Sequence, residues 1–119
     1  MKMHSLTDYI SEFFGTYLRD EIGASINTIL SYRDAFLQLI DFLETKEKKK
    51  IGVLTIDVIK RETIVEFLEW IEKERKCSFS TRNSRLAAIR SFYNFLGYKP
   101  LDNMAESLRI KSIRAKKGQ

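Results

Sequence analysis

Hydrophobic residues recur at spacings of three and four along most of the chain, and that period predicts helices. In LTDYISEFFGTYLRDE, Leu6, Ile10, Phe13, Phe14, Tyr17 and Leu18 share one side, with Thr7 or Asp8 as the expected cap. The next three residues, GAS, break the pattern and offer Ser25 as N-cap of a second helix. There, SINTILSYRDAFLQLIDFLET presents Ile26, Ile29, Leu30, Phe36, Leu37, Ile40 and Leu43 as a core-facing stripe. Asn27, Ser31, Asp34, Gln38 and Asp41 fall on the opposite side. Arg33 is the odd member, lying by angle on the apolar stripe, where it must snorkel outward or pair with an acid.

KEKKKIG reads as a solvated loop. VLTIDVI alternates Leu54, Ile56 and Val58 as a strand would, but no second strand-like run exists to pair with it. An extended segment lying over helices is therefore expected. RETIVEFLEWIEKERK resumes helical spacing with Ile64, Phe67, Leu68 and Ile71 inside, and Glu62, Glu66, Glu69, Glu72 and Glu74 outside. SFSTRNSRLAAIRSFYNFL follows, capped by Ser78 or Ser80, buried along Leu86, Ile89, Phe92, Tyr93 and Leu96, and stopped by Gly97 and Pro100. DNMAESLRI adds one short helix, and KSIRAKKGQ is expected to be a linker or disordered end. The predicted fold is all-α: a bundle of four main helices with a short fifth.

Composition fits one folded domain: 119 residues, 44% hydrophobic, with one proline and five glycines. Cys77 is the lone cysteine, which suits a reducing cytosol and rules out an internal disulfide. A cytoplasmic location is expected, with no membrane partner, because Asp8 and Glu12 interrupt the start and no long apolar run occurs.

Charge changes the picture most. Residues 1–75 hold 11 Lys and Arg against 14 Asp and Glu, whereas residues 76–119 hold 10 against 2. A basic last third raises the expectation of a polyanion partner. Around the fourth helix, Asn83, Ala87, Arg90 and Asn94 share a flank beside the small residues Ser84, Ala88 and Ser91. Arg82 and Arg85 lie nearer the apolar line, in the first two turns. A helix that enters a DNA groove needs such a positive start, small side chains, and Arg or Asn to reach base edges. Asn27, Thr28, Ser31, Tyr32 and Arg33 form a second polar cluster whose hydroxyls and amides suit phosphate oxygens. The plainer reading is that Ser25 and Thr28 only cap a helix and that Tyr32 packs in the core.

The inventory argues against a self-sufficient enzyme. His4 is the only histidine, so Ser-His-Asp, Cys-His and multi-histidine metal arrangements are excluded within one chain, and no Gly-rich phosphate loop occurs. No cofactor, metal or small-molecule substrate is expected.

The clusters, in this order, resemble the amino-terminal core-binding domain of the tyrosine recombinases, or phage-type integrases, whose fold is SAM-like. Three pieces carry the resemblance: SINTILSYRDAFLQLIDFL, LTIDVIKRETIVEFLEWIE and SFSTRNSRLAAIRSFYNFL. The resemblance implies that residues 1–107 are the core-binding domain and that 108–119 are a basic linker toward a catalytic domain absent from this chain. The arginine, lysine, histidine-arginine and tyrosine set of the family belongs to that other domain, so Tyr9, Tyr17, Tyr32, Tyr93 and Tyr98 are not nucleophiles. It also implies that this domain is one half of a clamp on double-stranded DNA, working with other protomers. It would place Thr28, Tyr32, Ser80, Thr81, Arg82, Arg85 and Arg90 at or near the duplex. Asn27, Ser31 and Asn83 join them on angular grounds alone. A helical protein-interaction module with no DNA role stays open as the alternative, and an RNA binder ranks behind it.

Overall fold

A computed structural model describes residues 5–101 and 103–117; His4 and the last two residues of the tail lie outside them. The elements are α1 (Leu6–Glu12), continued by a π-helical segment (Phe13–Ile22), then α2 (Ile26–Thr45), α3 (Arg61–Lys73), α4 (Phe79–Leu96) and α5 (Met104–Lys111). No strand occurs among the described residues, in keeping with the all-α expectation.

Ser5, not Thr7 or Asp8, caps α1, accepting from the Asp8 amide at 3.4 Å. The wider π winding keeps Phe13, Tyr17 and Leu18 all directed inward. Gly23 ends this segment in the left-handed region (φ 68°), where an L side chain is strained, and lets the Ala24 amide reach back to the Leu18 carbonyl at 2.8 Å. Phe13 is the centre of the aromatic core, within 6.4 Å of the rings of Tyr17, Tyr32, Phe36, Phe92 and Phe95.

The stripe expected on α2 is only half correct. Phe36 and Leu43 are buried together with Ala35, Leu39 and Phe42, but Ile26, Leu30 and Leu37 are 67%, 45% and 52% exposed. These three lie with Arg33 on the outer face, so Arg33 needs neither a buried acid nor a long snorkel. Segment 51–59 is a pair of 3-10 turns, Ile51–Val53 and Ile56–Val58, joined to the chain start by one antiparallel bridge between Ser5 and Thr55. The second turn rotates Val58 outward and Ile59 inward, which a strict alternation could not anticipate.

On α3 and α4 the expected stripes are buried throughout. Glu106 of α5 accepts from the Arg61 amide at 2.6 Å, satisfying a free donor at the start of α3, and Arg109 bridges Glu106 and Glu62. The Glu62 carboxyl is held below its ordinary pKa by its own backbone amide and then by Arg109. Ile110 and Ile113 join the main core. The boundary expected at 107/108 therefore falls inside a helix, and 108–113 is domain rather than linker.

Candidate nucleic-acid interface

The starts of α2 and α4 are built alike. Ser25 accepts from the Thr28 amide at 3.2 Å and donates to its hydroxyl at 3.1 Å. Ser78 repeats this with Thr81, at 3.1 Å and 3.2 Å. Ser78, not Ser80, is thus the cap. Neither first turn holds an acidic residue, so no carboxylate of the helix's own first turn offsets either positive dipole end.

The two starts lie at the same end of the bundle. Ser31 and Ser84 meet at 3.3 Å between hydroxyls, and further along both helices Phe36 meets Phe92 with ring centroids 5.1 Å apart. The contacts advance in the same sense on each helix, so α2 and α4 run broadly parallel. Close approach is possible because serine is small. Arg85 reaches across to α2, donating from Nε to Gln38 Oε1 at 2.7 Å. Half-exposed, it is held side-on by a neutral partner that brings no opposite charge.

The expected contact residues divide into three groups. Asn27 and Ser80 are exposed, and Ser31, Thr81 and Arg85 are half-buried around the junction of the two helix starts. Thr28 is engaged with the Ser25 cap, and Tyr32 is half-buried with its ring stacked 6.4 Å from that of Phe13.

The third group lies on the flank of α4 away from α2, toward α3 and the segment after α5, and corrects the expectation of free cations. Arg82 is only 7% exposed. It shares the inward side of α4 with Leu86 and Ile89, four and seven residues on, and its charge is met by Glu72 of α3, Nε to Oε1 3.3 Å. Although close enough for charge pairing, that N–H is not aimed for a hydrogen bond. Arg82 also donates from Nη1 to the Arg114 carbonyl at 2.9 Å. Asn83 binds the backbone of Lys116, and Arg90 donates to the Ile113 carbonyl. These three residues hold the segment after α5 rather than project into solvent.

Glu72 is the functional neighbour that the sequence pattern missed. Placed among the outward glutamates, it is instead half-buried beneath Arg82 and Lys116, with Lys116 Nζ 3.0 Å from its Oε1. Its position four residues after buried Leu68, at the edge of the apolar stripe, was the available signal.

Tyr93 is sealed in the core. Burial first, then the Glu106 carboxylate, push its phenol far above the ordinary range. No helix among the described residues is long and apolar enough to cross a membrane.

Comparison with known proteins gives the frame for this geometry. The family "Phage integrase, N-terminal SAM-like domain" matches residues 10–98. A Sinorhizobium fredii protein named as integrase/recombinase y4rD is 33% identical over 112 residues, covering 94% of this chain and 40% of its own. A second from that organism, y4rC, is 34% identical, covering 98% of this chain and 35% of its own. The tyrosine recombinase XerD of Oceanobacillus iheyensis is 30% identical over 90% of this chain and 34% of its own. The chain thus spans well under half the length of these relatives. No solved structure matches it. The helical architecture and the family match agree, and this chain belongs to the phage integrase N-terminal SAM-like domain family.

Proposed function

We propose that this chain binds double-stranded DNA as the core-binding domain of a tyrosine recombinase, gripping one side of a recombination site while a separate domain carries the chemistry. The observation that carries this reading is the Ser31–Ser84 contact, which joins two acid-free helix starts into one surface with Asn27, Ser80, Thr81 and Arg85 around it. Such a surface offers amide dipoles and hydroxyls to phosphate oxygens and an arginine to phosphate or guanine. The names of the relatives support it.

Phosphate contact predicts a salt-linked affinity. In a fluorescence-anisotropy titration with a labelled mixed-sequence duplex, binding should weaken steeply between about 50 and about 200 mM salt as condensed counterions are released. An absence of binding at low salt, or affinity independent of salt, refutes the reading.

A second reading, a protein-interaction module, is favoured by the exposed line Ile26, Leu30 and Leu37 on α2. It predicts binding to a partner protein and none to the duplex.

A further inference from the structure

We propose that residues 113–117 form a fixed cationic strap, and that Asn83 and Arg82 are positioning residues that hold it along α4 so that Arg114 and Lys117 enlarge the anion-facing surface. This inference rests on the DNA-binding reading. Its basis is the way α4 captures successive backbone groups of the segment after α5. Arg90 donates to the Ile113 carbonyl, Arg82 to the Arg114 carbonyl at 2.9 Å, and Asn83 Nδ2 to the Lys116 carbonyl at 2.6 Å. The Lys116 amide returns a bond to Asn83 Oδ1 at 2.9 Å. An asparagine side chain here completes both hydrogen bonds of one residue's backbone, as a neighbouring strand would.

Side chains pin the same segment at both ends. Ile113 is 3% exposed in the core. The Lys116 ammonium lies 3.0 Å from Glu72 and 5.2 Å from the centre of the Phe79 ring. Arg82 donates to Asn83 Oδ1 as well, at 3.1 Å, which fixes the amide in the orientation the clasp needs. Glu72 therefore pairs with both Arg82 and Lys116 and offsets one of their two charges, and the strap cations for which no ion pair is seen among the described residues are Arg114 and Lys117, both exposed. Asn83 lies on the same outer flank of α4 as Ala87, so the segment bonded to it follows the edge of that exposed face. On this account Asn83 and Arg82 act on DNA through the strap and do not read bases.

The test uses the 119-residue chain, its Asn83→Ala variant, and a double variant with Arg114→Ala and Lys117→Ala. Two quantities are read: hydrogen exchange of the Lys116 amide, and anisotropy affinity for a mixed-sequence duplex across a salt series. Asn83→Ala should speed Lys116 exchange at least about tenfold while amides of the buried α4 stripe stay protected. It should also weaken DNA binding severalfold with a shallower salt slope. The double variant should leave Lys116 protected yet lower the slope by about 1 to 2, the size expected for one or two lost phosphate contacts. Unchanged Lys116 exchange in Asn83→Ala overturns the clasp. Unchanged affinity in the double variant, or tighter binding by Asn83→Ala, overturns the strap's part in DNA binding while the domain's own binding stands. Failure of the unaltered chain to bind the duplex overturns the function reading and this inference with it.

Discussion

Ser31 of α2 and Ser84 of α4 touch hydroxyl to hydroxyl at 3.3 Å, and this small contact sets the spacing of the two helix starts. A carboxylate introduced there would meet phosphate and the two helix dipoles at once. Ser84→Glu should weaken duplex binding by about fivefold or more while far-UV circular dichroism is retained, since a carboxylate about 4 Å from a phosphate is repelled by about 1 kcal/mol even in water. Equal affinity would move the interface elsewhere.

Arg82 and Arg85, three residues apart, should behave differently. Arg82→Ala leaves Glu72 half-buried with Lys116 as its remaining cation, and should cost about 2 to 4 kcal/mol in denaturant unfolding. Arg85→Ala removes only one hydrogen bond to Gln38 and should cost about 1 kcal/mol or less, yet weaken DNA binding. If both variants prove equally stable, Arg82 is not the structural cation described above.

The core should extend past residue 107. Ile113 is packed with Ile110 against the main cluster, so Ile113→Ala should lower unfolding free energy by about 2 to 4 kcal/mol. A change under about 0.5 kcal/mol, measured by urea unfolding, would return 108–117 to the status of a linker.

Tyr93 gives an alkaline signature. Its folded pKa is raised by burial, so nothing is lost below the unfolded value near 10; above that, the unfolded chain ionises and the folded one resists, and stability falls as pH rises. Its hydroxyl has no hydrogen-bond partner among the described residues. Tyr93→Phe should therefore be neutral or stabilising by up to about 1 kcal/mol at neutral pH and should flatten the alkaline limb of a pH–stability curve. A Tyr93→Phe variant that is less stable at neutral pH, with the limb unchanged, would show that the hydroxyl is satisfied.

Helix positions were legible where only one face was apolar. On α3 and α4 the spacing of Ile64, Phe67, Leu68 and Ile71, and of Leu86, Ile89, Phe92 and Tyr93, left no second choice of buried side. On α2 the outer line Ile26, Leu30 and Leu37 is as regular as the inner one, and periodicity cannot rank two apolar stripes on one helix. The twin serine caps were readable locally because a cap is a contact within one turn. Arg82 is not legible in the sequence for the opposite reason: its place is decided by Glu72 and the Arg114 carbonyl, 10 and 32 residues away in sequence. A basic segment without apolar period looked like a free tail, yet backbone bonds from Asn83 and Arg90 hold it, and hydropathy does not register those.

The most direct measurement is a two-dimensional amide NMR titration of the isotope-labelled chain with a short duplex at low salt. DNA binding at the two helix starts should give shifts concentrated at Asn27, Ser31, Ser80, Thr81 and Arg85, with the amides of Glu62, Glu66 and Glu69 on α3 unmoved. Shifts confined to α3, or none at any duplex concentration, would contradict it.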